Sequence, residues 1–243
     1  MTRGILIAGN ESSLFAAVSA EAVKRVKSFA SAIIPNRFPL PEGGGAISRA
    51  GASAGNMPLT WNPSSPISAR TLILAAENRL EHINDAILIC SPPAVYKTPE
   101  TLLPEEIEIL VNDHIKGWFY LVRELILYLR QEGKGTLSFV MPEPASSGSS
   151  REISGIRKDA PGKNAPANIQ TDLLGPSASA SFRSFAQGIL ASTAGEPFRV
   201  MGFTGFEAGV EAEVASWFFK MIDEGSGKYS GRWQRYSKPG FFR

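Results

Sequence analysis

The 243 residues carry 25 Lys+Arg against 23 Asp+Glu, a net charge of +2, with 43% hydrophobic and 20% charged residues. That balance is ordinary for a globular protein and lacks the polyelectrolyte signature of a nucleic-acid binder, so no nucleic-acid partner is expected. The lone cysteine, Cys90, excludes an internal disulfide, no basic stretch leads into an apolar one at the start, and the longest apolar run, Leu121 to Leu129, is too short to span a bilayer; a cytoplasmic protein without membrane contact is expected. A chain of this length buries roughly 70 to 75% of the surface its unfolded form exposes, so one domain over residues 1–243 is expected.

Gly4 to Val18, GILIAGNESSLFAAV, opens as a buried strand (Ile5, Leu6, Ile7), turns at Gly9 and continues as an apolar helix, the start of a βαβ unit. Turns of this kind that hold a dinucleotide carry three glycines, the second admitting the pyrophosphate and the third letting helix pack on strand; here only Gly9 is present. The helix runs from Leu14 to Val26 with Leu14, Val18, Ala22 and Val26 on one stripe and Glu21, Lys24 and Arg25 on the solvated side. A second strand, Ala30 to Ile34, ends at Pro35, Asn36 and Arg37. Residues 39–57 are rich in Gly, Ala, Ser and Pro without periodicity and read as a surface loop; no Lys-Ser/Thr pair follows the glycines, which excludes a Walker loop.

A short strand, Leu59 to Trp61, precedes a helix from about Ile67 to His82, whose C-terminal end suits the partial positive charge of His82. His82 has no acidic or cysteine residue at ligand spacing, and no metal is expected. Asp85 to Ser91, DAILICS, has the near-continuous apolar character of a central parallel strand, and Cys90 within it reads as a buried structural thiol. Pro104 to Glu132 reads as the longest helix, with Ile107, Leu110, Val111, His114, Ile115, Trp118, Val122, Leu125 and Leu129 on one broad stripe. Gly135 to Met141 is another buried strand, ending in Pro142 and Glu143. Residues 144–175 read as a long aperiodic insertion. A helix from Ser177 to Ser192, a strand Arg199 to Phe203, a helix Glu211 to Glu224 and a last strand within Tyr229 to Gln234 complete the chain. Strand and helix patterns in alternation predict an α/β, Rossmann-like, doubly wound sheet of about seven mostly parallel strands with helices on both faces.

In order and spacing, DAILIC, HIKGWF, GTLSFVM, FRVMGF and YSGRWQ resemble the consecutive motifs of the short-chain dehydrogenase/reductase family. The resemblance places Ser13 and Phe15 where that family's T-G-x-x-x-G-x-G has its later glycines, His114 at the asparagine of N-x-x-G-x-F, and Pro142 and Glu143 where a catalytic serine ends the fifth strand. It also implies that Arg37 meets an NADP 2′-phosphate, whereas the residue type alone implies a solvated loop arginine. The family's chemistry uses a tyrosine and a lysine in Y-x-x-x-K, with hydride exchanged by NAD(P). No tyrosine lies between Tyr128 and Tyr229 and no lysine between Lys163 and Lys220, so no alignment supplies that pair.

Three readings follow. In the first, no residue is catalytic, His114, Pro142 and Glu143 are vestigial, no cofactor binds, and the chain is a structural subunit in a homo- or hetero-oligomer with an active paralogue. In the second, a divergent oxidoreductase still uses NAD or NADP, with His114 or Glu143 as the base. In the third, a small-molecule sensor keeps the cleft without turnover. Under the first, Phe15 and Glu11 obstruct the pyrophosphate, and His114 is a satisfied interior or interface histidine.

Overall fold

Runs of apolar residues with no polar face demand cover on both sides, and the computed structural model provides it. It describes residues 3–26, 29–35, 37–38, 56–92, 94–143 and 171–237. In chain order these form β1 (Ile5–Asn10), α1 (Ser13–Val23), β2 (Phe29–Ile34), β3 (Asn56–Leu59), α2 (Pro66–Leu80), β4 (Asp85–Ile89), β5 (Tyr96–Lys97), α3 (Pro104–Val111), a π-helical turn (Asn112–Lys116), α4 (Gly117–Glu132), β6 (Thr136–Val140), β7 (Thr171–Asp172), α5 (Leu174–Ser192), β8 (Arg199–Thr204), α6 (Glu211–Asp223) and β9 (Arg232–Arg235).

Seven strands form one sheet in the order β3-β2-β1-β4-β6-β8-β9, every pairing parallel. Alternation within each strand divides the core. Leu6, Ala8, Leu88 and Phe139 face the layer of α2, α4 and α5, while Ile5, Ile7, Ile87 and Phe203 face α1 and α6. Order reverses between β1 and β4, so the crevice of the doubly wound fold opens at the carboxyl ends of those two strands.

Several expectations are corrected. Met57 belongs to β3, which pairs in register with Phe29–Ala32, so the strand precedes Trp61 and Pro58 sits on an edge, where a missing N–H is tolerated. Of the expected loop 39–57, residues 39–55 lie outside the described residues, as do 144–170 of the expected insertion. The rest of that insertion is ordered: Thr171–Asp172 pairs antiparallel with Tyr96–Lys97, and α5 begins at Leu174. The Asp172 carboxylate causes this, accepting from the N–H groups of Val95 at 3.1 Å and Gly175 at 3.0 Å. Glu21 is buried instead of solvated, because Lys24 and Arg25 both donate to it. Ile107 and Val111, expected inward, are exposed, since the π turn rotates α3 relative to α4 and leaves only Leu110 and Glu106 of α3 buried. Tyr229 falls in a 3₁₀ turn before β9.

Candidate functional site

The β1–α1 turn sits at the crevice and is built from local rules. Ser12 has extended backbone and its hydroxyl accepts from the Phe15 N–H at 3.1 Å, an N-cap that starts α1 at Ser13. Gly9 pairs with Ile89 across the β1–β4 junction, and a β-carbon there would lie 2.7 Å from the Ile89 carbonyl oxygen. Sheet packing alone therefore requires this glycine. Gly9→Ala is expected to cost about 2 kcal/mol by overpacking, measured as a lowered urea midpoint, and an unchanged midpoint would refute that role.

Phe15 is buried in the core cluster on the α1 and α6 side, so its ring is held by packing and does not stand free in the crevice. A contact at the start of α1 is one that sequence reasoning missed. Ser13 donates from Oγ to Glu211 Oε1 at 2.8 Å, and the Gly209 N–H donates to Glu211 Oε2 at 2.9 Å. Burial works to raise the Glu211 pKa, but its own backbone N–H, Ser13 and Gly209 outweigh that and hold the carboxyl below its ordinary range. Glu211 is distant from Ser13 in sequence, and nothing local to either residue signals the contact.

Arg37 leaves the end of β2 and donates from Nη2 to Asp113 Oδ1 at 2.6 Å on the π turn, with the Asp113 side chain 0% and the Arg37 side chain 42% exposed. Arg37 is thus an ion-pair partner of a buried carboxylate and not a wholly solvated loop residue. Burial pushes the Asp113 carboxyl above the usual carboxylate range, and Arg37 and Ser64 draw it part of the way back. Its Oδ2 has no hydrogen-bond partner. Asp113 is the titratable group that sequence reasoning overlooked beside His114; the shift of helical phase in the π turn is what turns it inward.

His114 is 1% exposed, and its Nδ1 has no hydrogen-bond partner, so it is an interior histidine but not the satisfied one expected. Burial holds its pKa at about 4, and the ring is neutral at physiological pH. Phe38 covers it, ring centroids 6.2 Å apart and planes 24° from parallel. Phe38, Val95, Leu110, Leu174 and Ala178 form a small apolar cluster at this end of the sheet. Beneath it Trp118 meets Trp61 at 5.8 Å and Phe182 at 5.1 Å between ring centroids. Gly117 lets this stack form, since a β-carbon there would lie 2.6 Å from Pro63.

Glu143 follows β6 and Pro142, and its Oε2 accepts from Arg235 at 2.8 Å near the surface. No hydrogen bond or ion pair joins His114 to Glu143 among the described residues, so the two expected bases are not one constellation. Cys90 is buried, and burial raises its thiol pKa far from the nucleophilic range. His82, half-exposed past the end of α2, has Nδ1 3.1 Å from Glu132 Oε2. The α5 helix, LGPSASASFRSFAQGILAS, contains neither tyrosine nor lysine. No helix among the described residues is long and apolar enough to cross a membrane.

No family model matches the chain, and no curated protein matches it in sequence. Among solved structures it is similar to a short-chain dehydrogenase/reductase family protein from Aeromonas hydrophila subsp. hydrophila, at 11% identity over 98% of this chain and 100% of that one, with a TM-score of 0.68. A short-chain type dehydrogenase/reductase from Mycobacterium marinum is similar at 13% identity over 95% and 92%, TM-score 0.67. A metagenomic short-chain oxidoreductase in complex with NADP is similar at 9% identity over 97% and 98%, TM-score 0.66. At such identities the likeness concerns architecture, and the chain has the Rossmann-like, doubly wound fold of the short-chain dehydrogenase/reductases.

Proposed function

We propose that this chain is a catalytically inactive, cytoplasmic subunit with the short-chain dehydrogenase fold, the structural partner of an active NAD(P)-dependent paralogue in a mixed oligomer. The observation that carries the reading is the Glu211 carboxylate bound by Ser13 at the first turn of α1. A dinucleotide pyrophosphate needs that helix start free and electropositive, so these residues do not fit NAD or NADP. The lack of tyrosine and lysine in α5, together with Pro142 at the position of the family's serine, supports the same reading from the chemical side. The alternative of a divergent oxidoreductase draws less support: its proposed base His114 is neutral, covered by Phe38 and shut from solvent, and Glu143 is engaged by Arg235.

Assembly draws on the outer face of α4 and α5. Phe119 is 48% exposed and stacks on Phe185 at 4.1 Å between centroids, and Leu127 is exposed on the same helix. Apolar residues grouped on neighbouring helices favour burial against another subunit, and in the mixed oligomer the active partner supplies the glycine loop and the Y-x-x-x-K pair. The test is to purify the chain alone and co-expressed with an intact paralogue, then to size both preparations and titrate the chain with NADH and NADPH by calorimetry. Co-elution with the paralogue and no binding heat from the chain alone are expected. Micromolar binding of either nucleotide, or a monomer in both preparations, would overturn the proposal.

A further inference from the structure

The first turn of α1 and the first turn of α6 converge on one carboxylate. Helices α1 and α6 pack side by side on the same face of the sheet. Glu211 is the first residue of α6, and one of its oxygens takes the Ser13 hydroxyl at the first residue of α1 while the other takes the Gly209 N–H. Each helix start presents unpaired N–H groups and about half a positive charge, the natural seat of an anion. In this protein a carboxylate of its own chain stands beside that seat, joined to α1 through the Ser13 hydroxyl and to the loop before α6 through the Gly209 N–H, so both of its oxygens are bonded.

We infer that Glu211 is the residue that excludes phosphate-bearing anions from the start of α1, acting as an internal anion in their place. The inference deepens the proposed function, because it assigns an exclusion of anions to Glu211, apart from the charge that Glu11 brings to the turn and apart from the missing glycines. Gly9 is retained and Ser12 caps the helix without carrying charge, so the turn itself adds no repulsion at those two positions. A neutral residue at 211 leaves the two helix starts without their anion, and an external oxyanion then gains what Glu211 gave up.

Glu211→Gln keeps the shape and hydrogen-bonding reach of the side chain and removes only its charge; Glu211→Ala removes both. The probe is sodium pyrophosphate, titrated by calorimetry into the full chain and each variant, with folding checked by circular dichroism. At least one variant that keeps the wild-type fold is expected to bind pyrophosphate about tenfold or more tightly than the wild type, which is expected to give no heat below millimolar concentration. Folded variants with wild-type affinity for pyrophosphate would overturn the inference while leaving the inactive-subunit reading standing. Micromolar binding by the wild type would overturn both.

Discussion

Arg37→Ala is expected to destabilise the protein by about 2 kcal/mol, although the substituted side chain is 42% exposed and lies next to a loop. The effect comes from Asp113, whose side chain is 0% exposed and whose second oxygen already lacks a partner. Removing one member of a buried pair typically costs about 3–5 kcal/mol, and solvent access to the guanidinium reduces that here. The diagnostic is rescue. Adding Asp113→Asn to Arg37→Ala removes the orphaned charge and is expected to recover more than half of the loss in urea-unfolding free energy. A single variant within about 0.5 kcal/mol of wild type, or a double variant no better than the single, would show that the pair does not hold the π turn to the end of β2.

The second large effect is a dependence of stability on pH traceable to His114. Its folded pKa of about 4 lies below the ordinary value of 6.5, so the unfolded chain takes up the proton first as pH falls. Its contribution is therefore complete above pH 6.5 and is lost progressively as pH falls toward 4, the loss reaching about 3 kcal/mol there. Asp113 works in the opposite direction, since a raised carboxyl pKa favours the folded state as pH falls, and the total curve is shallower than His114 alone would give. Comparing wild type with His114→Leu at each pH isolates the histidine. The variant gives up no hydrogen bond at Nδ1 and is expected to lose less stability between pH 6.5 and pH 4. Parallel curves for the two proteins would mean that His114 is not neutral in the fold.

The order of strands and helices was legible in the sequence because burial on both faces leaves a continuous apolar run, as in DAILI of β4, and one-sided cover leaves a helical stripe, as in Leu14, Val18 and Ala22 of α1. The absence of tyrosine and lysine from α5 was equally legible, being a property of composition over a long window that no shift of helix boundary alters. Short-range chemistry stayed hidden for a physical reason. The π turn at Asn112–Lys116 adds a residue to one helical turn, a change of phase that hydrophobic periodicity averages away, and it decides that Asp113 points inward while Val111 points out.

Contacts between residues far apart in sequence were settled by the tertiary structure alone. Arg37 meets Asp113 because β2 ends beside the π turn, and Ser13 meets Glu211 because α1 and α6 share a face of the sheet. Composition and spacing determine which segments are buried, since burial depends on local pattern summed over many residues. They carry no signal for which two polar side chains complete each other across 76 or 198 positions, because that depends on where the packed elements bring their ends.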